Sequence, residues 1–330
     1  MNDYADRGVL VIGGFGFIGI NLTRRLVDRG ARVVVVTPAR ERHADDAALL
    51  EARGVRTVEG DVRDPHVVGR AAANQHVIFN LSGQSGAVRS MEDPWADLDV
   101  NLRGNLVLLE AMREVNPDAK LVLAGSRLQY GKPRRLPVSE DDERQPLCLH
   151  AIHKQTAEEY LRLYSRLFGL RCSMARVTNP FGPGQPSGRT SYGVINRLIH
   201  LAVENQPLLL YGDGSQRRDY VFVDDVVDAL LLLGRADVSD GRAYNVGSGT
   251  GTSMRDLART IVDVSGSGRV EHVPWPPLAE QIETGDFVAD IERIRTELGW
   301  TPRTALRDGI ERTVAHYKRC AQSAQGASSA

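Results

Sequence analysis

Val9-Leu10-Val11-Ile12-Gly13-Gly14-Phe15-Gly16-Phe17-Ile18-Gly19 begins eight residues into the chain, and the rest is organised around it. Four apolar residues, three of them β-branched, predict a buried strand. Glycines follow at 13, 16 and 19, and Phe17 to Arg29 continues with the apolar spacing of a helix. In a strand–turn–helix nucleotide site each glycine has a mechanical task. The first permits the tight turn, the second lets backbone approach a pyrophosphate, and the third lets helix pack on strand. The helix then turns its free N–H groups and positive dipole end toward the phosphates. A glycine triplet alone also suits an ordinary strand–helix turn. Here it follows an apolar strand, opens an amphipathic helix and precedes a second β-branched run, Val33 to Val36. That context points to a dinucleotide site.

The bulk properties narrow the partners. A chain of 330 residues forms one large or two modest domains with ample apolar material for a core. Its net charge of −1, with 25% charged residues, gives no electrostatic case for nucleic acid or an anionic membrane. Met1 to Gly8 is polar and lacks an apolar signal core, and the longest aliphatic run, Ala229 to Leu233, is far too short to span a bilayer. Cys148, Cys172 and Cys320 are scattered and lack metal-ligand spacing, which fits thiols of a reducing compartment better than disulfides. The expectation is a cytoplasmic protein with a small-molecule substrate and no metal.

Along the first half, strands alternate with helices. Strands are expected at Val33–Val36, Val55–Val58, His76–Leu81, Lys120–Ala124 and Arg171–Val177, with helices at 40–53, 65–73, 97–114 and 150–168 between them. This alternation predicts an α/β fold with a doubly wound parallel sheet covered on both faces. Ligands in such sheets sit beyond the carboxyl ends of the strands. That rule gathers Gly13–Gly19, Asp61, Ser82–Ser85, Ser126 and Thr178-Asn179 around one crevice. After Val177 the regular alternation ends in a turn-rich passage, Asn179 to Pro186. Residues 1–178 plus about 220–246 are expected to form the dinucleotide domain, and 179–219 plus 247–320 a smaller C-terminal α/β substrate domain. Ala321 to Ala330, small and polar, reads as a disordered tail.

Further stretches complete an ordered set: Gly60-Asp61-Val62, Gly125-Ser126 leading to Tyr130-Gly131, Lys154, and Asn179-Pro180-Phe181-Gly182-Pro183-Gly184. Tyr211-Gly212-Asp213-Gly214 through Arg218-Asp219-Tyr220 to Asp225, Asn245-Val246-Gly247, and Leu298-Gly299-Trp300-Thr301-Pro302 follow. With the glycine stretch, this set resembles the extended short-chain dehydrogenase/reductases, in particular the NAD-dependent epimerase/dehydratase group acting on nucleotide sugars. The resemblance implies a Rossmann sheet, bound NAD, and a nucleotide-sugar epimerase or oxidoreductase working through a transient ketone. A protein that binds cofactor without turnover, and a tailoring enzyme for a non-sugar alcohol, are the alternatives. The implied cofactor contacts are Gly13, Phe15, Gly16, Phe17, Ile18, Gly19, Thr37, Arg40, Asp61, Val62, Leu81, Ser82, Gly83 and Lys154. Thr37 stands where relatives often have the acid that binds the adenosine ribose. Arg40 could then reach a 2′-phosphate, which keeps NADP as the alternative to NAD. The implied substrate contacts are Gln84, Ser126, Asn179 and Arg218, with Arg218 suited to phosphate by its planar fork. A surface salt bridge to Asp219 is its simpler reading. A second phosphate-binding arginine, which many relatives place near Asp286, is missing from Glu283 to Val288. The helices 97–114 and 151–168, with Leu102, Leu106, Leu109, Ile152, Tyr160, Tyr164 and Leu167, match those that pair across a homodimer in the group.

The implied catalytic residues are Ser126, Lys154 and the residue four before Lys154. In the family that residue is a tyrosine, whose pKa of about 10 must be lowered by a cation before it serves as a base. In this chain it is His150. Three readings stay open. An imidazole with an ordinary pKa near 6.5 is already neutral at pH 7 and can act as the base. Alternatively the base is lost, or Tyr130 or Tyr192 supplies it. The family's dehydratases carry acids just after Ser126, where Arg127-Leu128-Gln129 stands here. Elimination therefore lacks an obvious acid/base, and epimerisation or simple redox is favoured.

Overall fold

A computed structural model describes residues 3–185 and 193–328, with side chains described as far as Gln322. Twelve strands form among these residues: β1 (Gly8–Ile12), β2 (Arg32–Thr37), β3 (Arg56–Glu59), β4 (Val77–Asn80), β5 (Lys120–Ser126), β6 (Arg171–Val177), β7 (Asn179–Phe181), β8 (Pro207–Tyr211), β9 (Arg217–Phe222), β10 (Arg242–Val246), β11 (Gly251–Ser253) and β12 (Arg269–Val273). Seven of them make the main sheet in the order β10-β6-β5-β4-β1-β2-β3, and every neighbouring pair is parallel.

Strand periodicity explains why these runs are apolar throughout. Successive side chains point to opposite faces, and both faces are covered. Val9, Val11, Val33, Val35, Val77 and Phe79 face one core, built with Leu22 and Leu26 of helix Phe17–Asp28 and Val226 and Leu230 of helix Val223–Leu233. Leu10, Ile12, Val34, Val36, Ile78 and Leu121 face the other, against helices Pro65–Ala72, Gly104–Val115 and Leu149–Phe168. Burying each such side chain contributes roughly 1.5–3 kcal/mol. From β1 the chain builds outward through β2 and β3, then crosses back to β4 on the other side of β1. The reversal opens a crevice at the carboxyl ends of β1 and β4.

The expected helix at 97–114 is divided. Helix Pro94–Leu98 runs into a π turn, Asp99–Arg103, before helix Gly104–Val115. Asn105 Nδ2 donates to the Asn101 carbonyl at 2.7 Å and its Oδ1 accepts from Asn80 at 2.9 Å, pinning the wide turn to the end of β4.

Past β6 the remaining strands form a three-stranded sheet, β11-β9-β7, and a two-stranded one, β12-β8. They surround a third core containing Phe181, Ile199, Leu208, Phe222, Leu257 and Ile261. Three expectations change here. Within the turn-rich passage, Asn179–Phe181 is a strand paired with Tyr220–Phe222; Pro186 lies outside the described residues. Tyr220–Phe222, placed with the dinucleotide domain by the boundary at about 220, ends β9 in the smaller sheet. Its alternation serves both sides: Val221 packs into the first core, Tyr220 and Phe222 into the third. Finally, the last helix runs Leu306–Ser328, so residues 321–328 continue it where a tail was expected. Alanine and glutamine are strong helix formers.

Candidate active site

The glycine stretch forms the turn its spacing predicts. Gly13 has φ +78°, and a Cβ on it would lie 2.9 Å from the Ser82 amide nitrogen. A Cβ on Gly19 would fall 2.1 Å from the Gly13 carbonyl oxygen, so helix and strand could not close together with any larger residue there. At Gly16 a Cβ would meet only the Gly13 oxygen, at 3.3 Å, with open space beyond. Gly16 also precedes helix Phe17–Asp28, which no side chain caps, so its first N–H groups are left for a ligand. This cradle fits a dinucleotide pyrophosphate. Phe15 does not face the cradle: it is buried in the first core and stacks on His43. Phe17 and Ile18 are half-buried at the helix start.

Around the cradle the remaining expected cofactor residues fall into two groups. Thr37 is buried at the end of β2, and Val62 packs beneath Gly104. Leu81, Ser82 and Gly83 follow β4, with Ser82 Oγ 2.6 Å from Asn80 Oδ1. Two charged residues are already engaged within the chain. Arg40 binds Glu51 through two bonds of 3.0 and 2.5 Å, and that pairing lowers the Glu51 carboxyl to about 2. Asp61 is gripped by Arg63, 2.7 Å away at its closer oxygen. Arg40 thus has its charge matched by Glu51, which weakens the case for a 2′-phosphate partner.

Lys154 reaches the crevice floor beneath the loop after β4. Its Nζ donates to the Ala124 carbonyl at 3.1 Å, and a Cβ on Gly83 would lie 3.3 Å from it. Burial lowers its ammonium to about 8, with the Asp97 charge opposing the fall. One turn earlier on the same helix, His150 is only 5% exposed. Its Nδ1 stands 3.5 Å from Asp97 Oδ2 and 3.4 Å from Asn101 Nδ2. Burial, helped by the Lys154 charge, pushes the imidazole below its ordinary value, while Asp97 opposes. Ser126 ends β5 on the same rim, its Oγ accepting from the Leu128 amide at 3.2 Å.

Tyr130 is not placed to replace His150. Its ring is 1% exposed. Its hydroxyl donates to Asn245 Oδ1 at 2.7 Å and accepts from Arg176 Nη1 at 2.6 Å. Burial raises that phenol to about 12 despite the Arg176 charge. Tyr192 lies outside the described residues.

On the opposite wall, the structure assembles charge that sequence spacing did not reveal. Arg218 is buried and bridges to Glu283 and the Gly285 carbonyl. Asp219, the expected salt-bridge partner, turns inward and accepts from the amides of Ser248, Gly249 and Ala289. Arg127, 8% exposed, donates to Thr284 Oγ1 at 3.0 Å and Asn179 Oδ1 at 3.4 Å and lies over the Phe287 ring. Among the described residues no carboxylate comes within ion-pair distance of it. Glu283 is committed to Arg218, so Arg127 is the cation left unmatched beside Asn179. Gln84 is buried at the crevice, and its Nε2 has no partner among the described residues. Arg127, Asp97, Asn101 and Thr284 were all absent from the sequence-derived set. Adjacency to Ser126 was the one signal that could have drawn attention to Arg127.

Among the described residues no group of three or more His, Cys, Asp or Glu is arranged to hold a metal, and all three cysteines are free. No described helix is long and apolar enough to cross a membrane.

A parallel sheet in 3-2-1-4-5-6-10 order with a glycine cradle at its reversal, and a Ser, His and Lys at the crevice, define a dinucleotide-dependent enzyme of the extended short-chain dehydrogenase/reductase type. Residues 9–247 match the NAD dependent epimerase/dehydratase family, and the chain belongs to it, with NAD as its cofactor. It is 34% identical over 319 residues to the UDP-glucose 4-epimerase of Mycolicibacterium smegmatis, covering 95% of this chain and 99% of that one. Among solved structures it resembles the Thermus thermophilus UDP-glucose 4-epimerase in complex with NAD, with TM-score 0.83 and 30% identity, covering 94% and 99% of the two chains. The epimerase Mth375 of Methanothermobacter thermautotrophicus superposes with TM-score 0.89 at 28% identity, over 98% of this chain and 96% of that one.

Proposed function

We propose that this enzyme epimerises a nucleotide sugar through a transient ketone, with His150 as the base in place of tyrosine. The observation that carries this reading is the pairing of His150 and Lys154 on one buried wall while the Tyr130 hydroxyl is locked by Asn245 and Arg176. Gly13, Gly16, Gly19, Ser82 and Lys154 would hold NAD, which when bound accepts a hydride from the sugar carbon and returns it. The neutral imidazole of His150 takes the hydroxyl proton, and Ser126 positions that hydroxyl. Lys154 keeps the imidazole neutral before the transfer. Arg127-Leu128-Gln129 offers no acid or base for elimination, so the sugar keeps all its hydroxyls.

The substrate's anionic part is assigned to Arg127, Asn179 and Arg218. Arg127, which packs against Thr284 and Phe287, stands in for the arginine missing from Glu283 to Val288, and its fork suits a diphosphate. The similarity to UDP-glucose 4-epimerases supports a nucleotide diphosphate sugar. For the assembly we propose a homodimer. Leu109 and Tyr164 are buried within the protomer, whereas Ile152, Leu163 and Leu167 are exposed along one side of helix Leu149–Phe168 and Leu106 on helix Gly104–Val115, apolar surface that a second copy would cover. Light scattering should give twice the monomer mass, and Ile152→Glu with Leu167→Glu should reduce it to one.

The test is turnover of UDP-sugars by purified holoenzyme, with reduced-cofactor fluorescence as a second signal. His150→Ala should lose roughly a hundredfold or more in kcat and keep its NAD. Wild-type activity should rise with pH through a midpoint below the ordinary 6.5, because the base works deprotonated and burial and Lys154 favour that form. A wild type that is inert until His150→Tyr revives it means the base has been lost.

A further inference from the structure

His150 does not stand alone on its wall. Asp97 is 0% exposed, and both its oxygens face imidazoles of helix Leu149–Phe168. Oδ1 lies 2.7 Å from His153 Nδ1, a full hydrogen bond; Oδ2 lies 3.5 Å from His150 Nδ1 and has no partner at hydrogen-bond distance. The placement is built into the fold. Asp93 Oδ1 accepts from the Ala96 amide at 3.1 Å and Pro94 opens the first turn, starting the short helix that carries Asp97. The π turn that follows then brings Asn101 beside the same His150 nitrogen. Asn101 Nδ2 makes its shorter bond, 2.8 Å, to the Gln84 carbonyl.

A buried carboxylate facing two imidazoles requires N–H on the sides it meets. The donor to Oδ1 comes from His153. The group available to Oδ2 is Nδ1 of His150, so the His150 proton belongs on Nδ1 and the lone pair on Nε2. We propose that Asp97 is the positioning residue for the His150 base, fixing the tautomer that leaves Nε2 free to accept and stabilising the imidazolium formed. The step balances simply. The substrate O–H bond breaks, its proton goes to Nε2 and its electron pair stays on oxygen. The proton returns when the ketone is reduced again, so His150 ends as it began. This arrangement extends the general logic of a base oriented by a third group, and it rests on the reading of His150 as base. Asp97, His153 and Lys154 are the charged or titratable groups facing the ring, with Asn101 and the Gln84 carbonyl as neutral neighbours. Asp97 is suited to the task because, against burial, the neighbouring His150, His153 and Asn101 hold its carboxyl below the ordinary range.

Asp97→Asn keeps the shape and removes the charge. In holoenzyme turning over a UDP-sugar it should lower kcat about ten- to a hundredfold, within the scale of general acid–base help, with KM and bound NAD unchanged. The midpoint of the pH–activity curve should move lower, because an anion that favoured imidazolium is gone. In a His150→Gln background the same substitution should change kcat by less than about threefold, since a residue acting through His150 has nothing left to act on. Long-range ¹H–¹⁵N spectra of the wild-type holoenzyme, assigned with His150→Gln, should show His150 protonated on Nδ1. An Nε2–H tautomer overturns the proposal, and decides it even if Asp97→Asn fails to fold. Wild-type kcat and an unmoved midpoint in a folded Asp97→Asn enzyme overturn it equally. If His150→Gln alone retains full turnover, the base assignment falls instead, before any Asp97 variant is needed.

Discussion

Replacing Arg127 with methionine should make the ligand-free protein more stable while weakening its hold on a nucleoside diphosphate. Burial, with the Arg218 charge adding to it, pushes the Arg127 guanidinium down to about 9 from an ordinary 12.5. The group still carries its charge at neutral pH, so that fall measures the cost of charging it in place, at most about 5 kcal/mol. Against this stand the bonds to Thr284 and Asn179 and the contact with the Phe287 ring, worth roughly 1 kcal/mol each. Methionine fills similar apolar space without charge, so a net gain of about 1–2 kcal/mol is expected. A cation whose folded value is depressed bears its full penalty below that value and sheds it only as pH rises from about 9 toward 12.5. The gain should therefore be flat from about pH 6 to 8. Binding moves the other way, because a charge-assisted hydrogen bond is worth about 1.5–3 kcal/mol, roughly ten- to a hundredfold in affinity. Urea unfolding of ligand-free protein gives the first quantity and calorimetry with UDP the second. A variant destabilised by more than about 1 kcal/mol that binds UDP as the wild type does would make Arg127 a structural residue and refute the reasoning.

Gly16→Val should abolish NAD binding and leave a folded protein, because its side chain enters the open approach to the cradle and meets only the Gly13 oxygen; unchanged calorimetric affinity would remove the cradle assignment. Tyr130→Phe should cost about 1–3 kcal/mol of stability by stranding Asn245 and Arg176 and leave the pH midpoint of turnover where it was. A shifted midpoint would mean that its phenol takes part in proton transfer. Arg40→Ala should leave the preference between NAD and NADP unchanged, since Arg40 already answers Glu51; a gain or loss of NADP affinity would show that it reaches the ribose.

What could be read from the chain was whatever depends on neighbours in sequence. The glycine turn and the two-faced strands are local, and the main sheet followed from them; Ser126, His150 and Lys154 came from the family resemblance. The strand β7 was hidden by Pro180, which a strand tolerates at a sheet edge, where β7 lies. The charge arrangement was hidden for a different reason. Asp97 meets His153 across 56 residues, Arg218 meets Glu283 across 65, and Arg127 meets Thr284 across 157. No periodicity links such pairs, because they are joined by the crossover of a parallel sheet and by the segment that follows β12. Each residue was plain in the sequence; its partner was not.

The position of β10 has a consequence for how the chain is made. Gly13–Gly19, Ser126, His150 and Lys154 all precede Val177, the last residue of β6. The chain then departs to build β7 to β9, with Asn179 and Arg218 among them, packs helix Val223–Leu233 back on the first core, and adds a strand to the main sheet again only at Arg242, laying β10 against β6. A nascent chain therefore carries the cofactor cradle well before the sheet has its final edge. Until Arg242–Val246 arrives, β6 offers an unpaired row of N–H and C=O groups, the kind of edge on which a second unfinished chain can pair. Parallel strands so distant in sequence also pair slowly. Dinucleotide bound to the early half would favour its folded form by mass action throughout that interval. The cofactor would then guard the protein during synthesis before it serves any substrate.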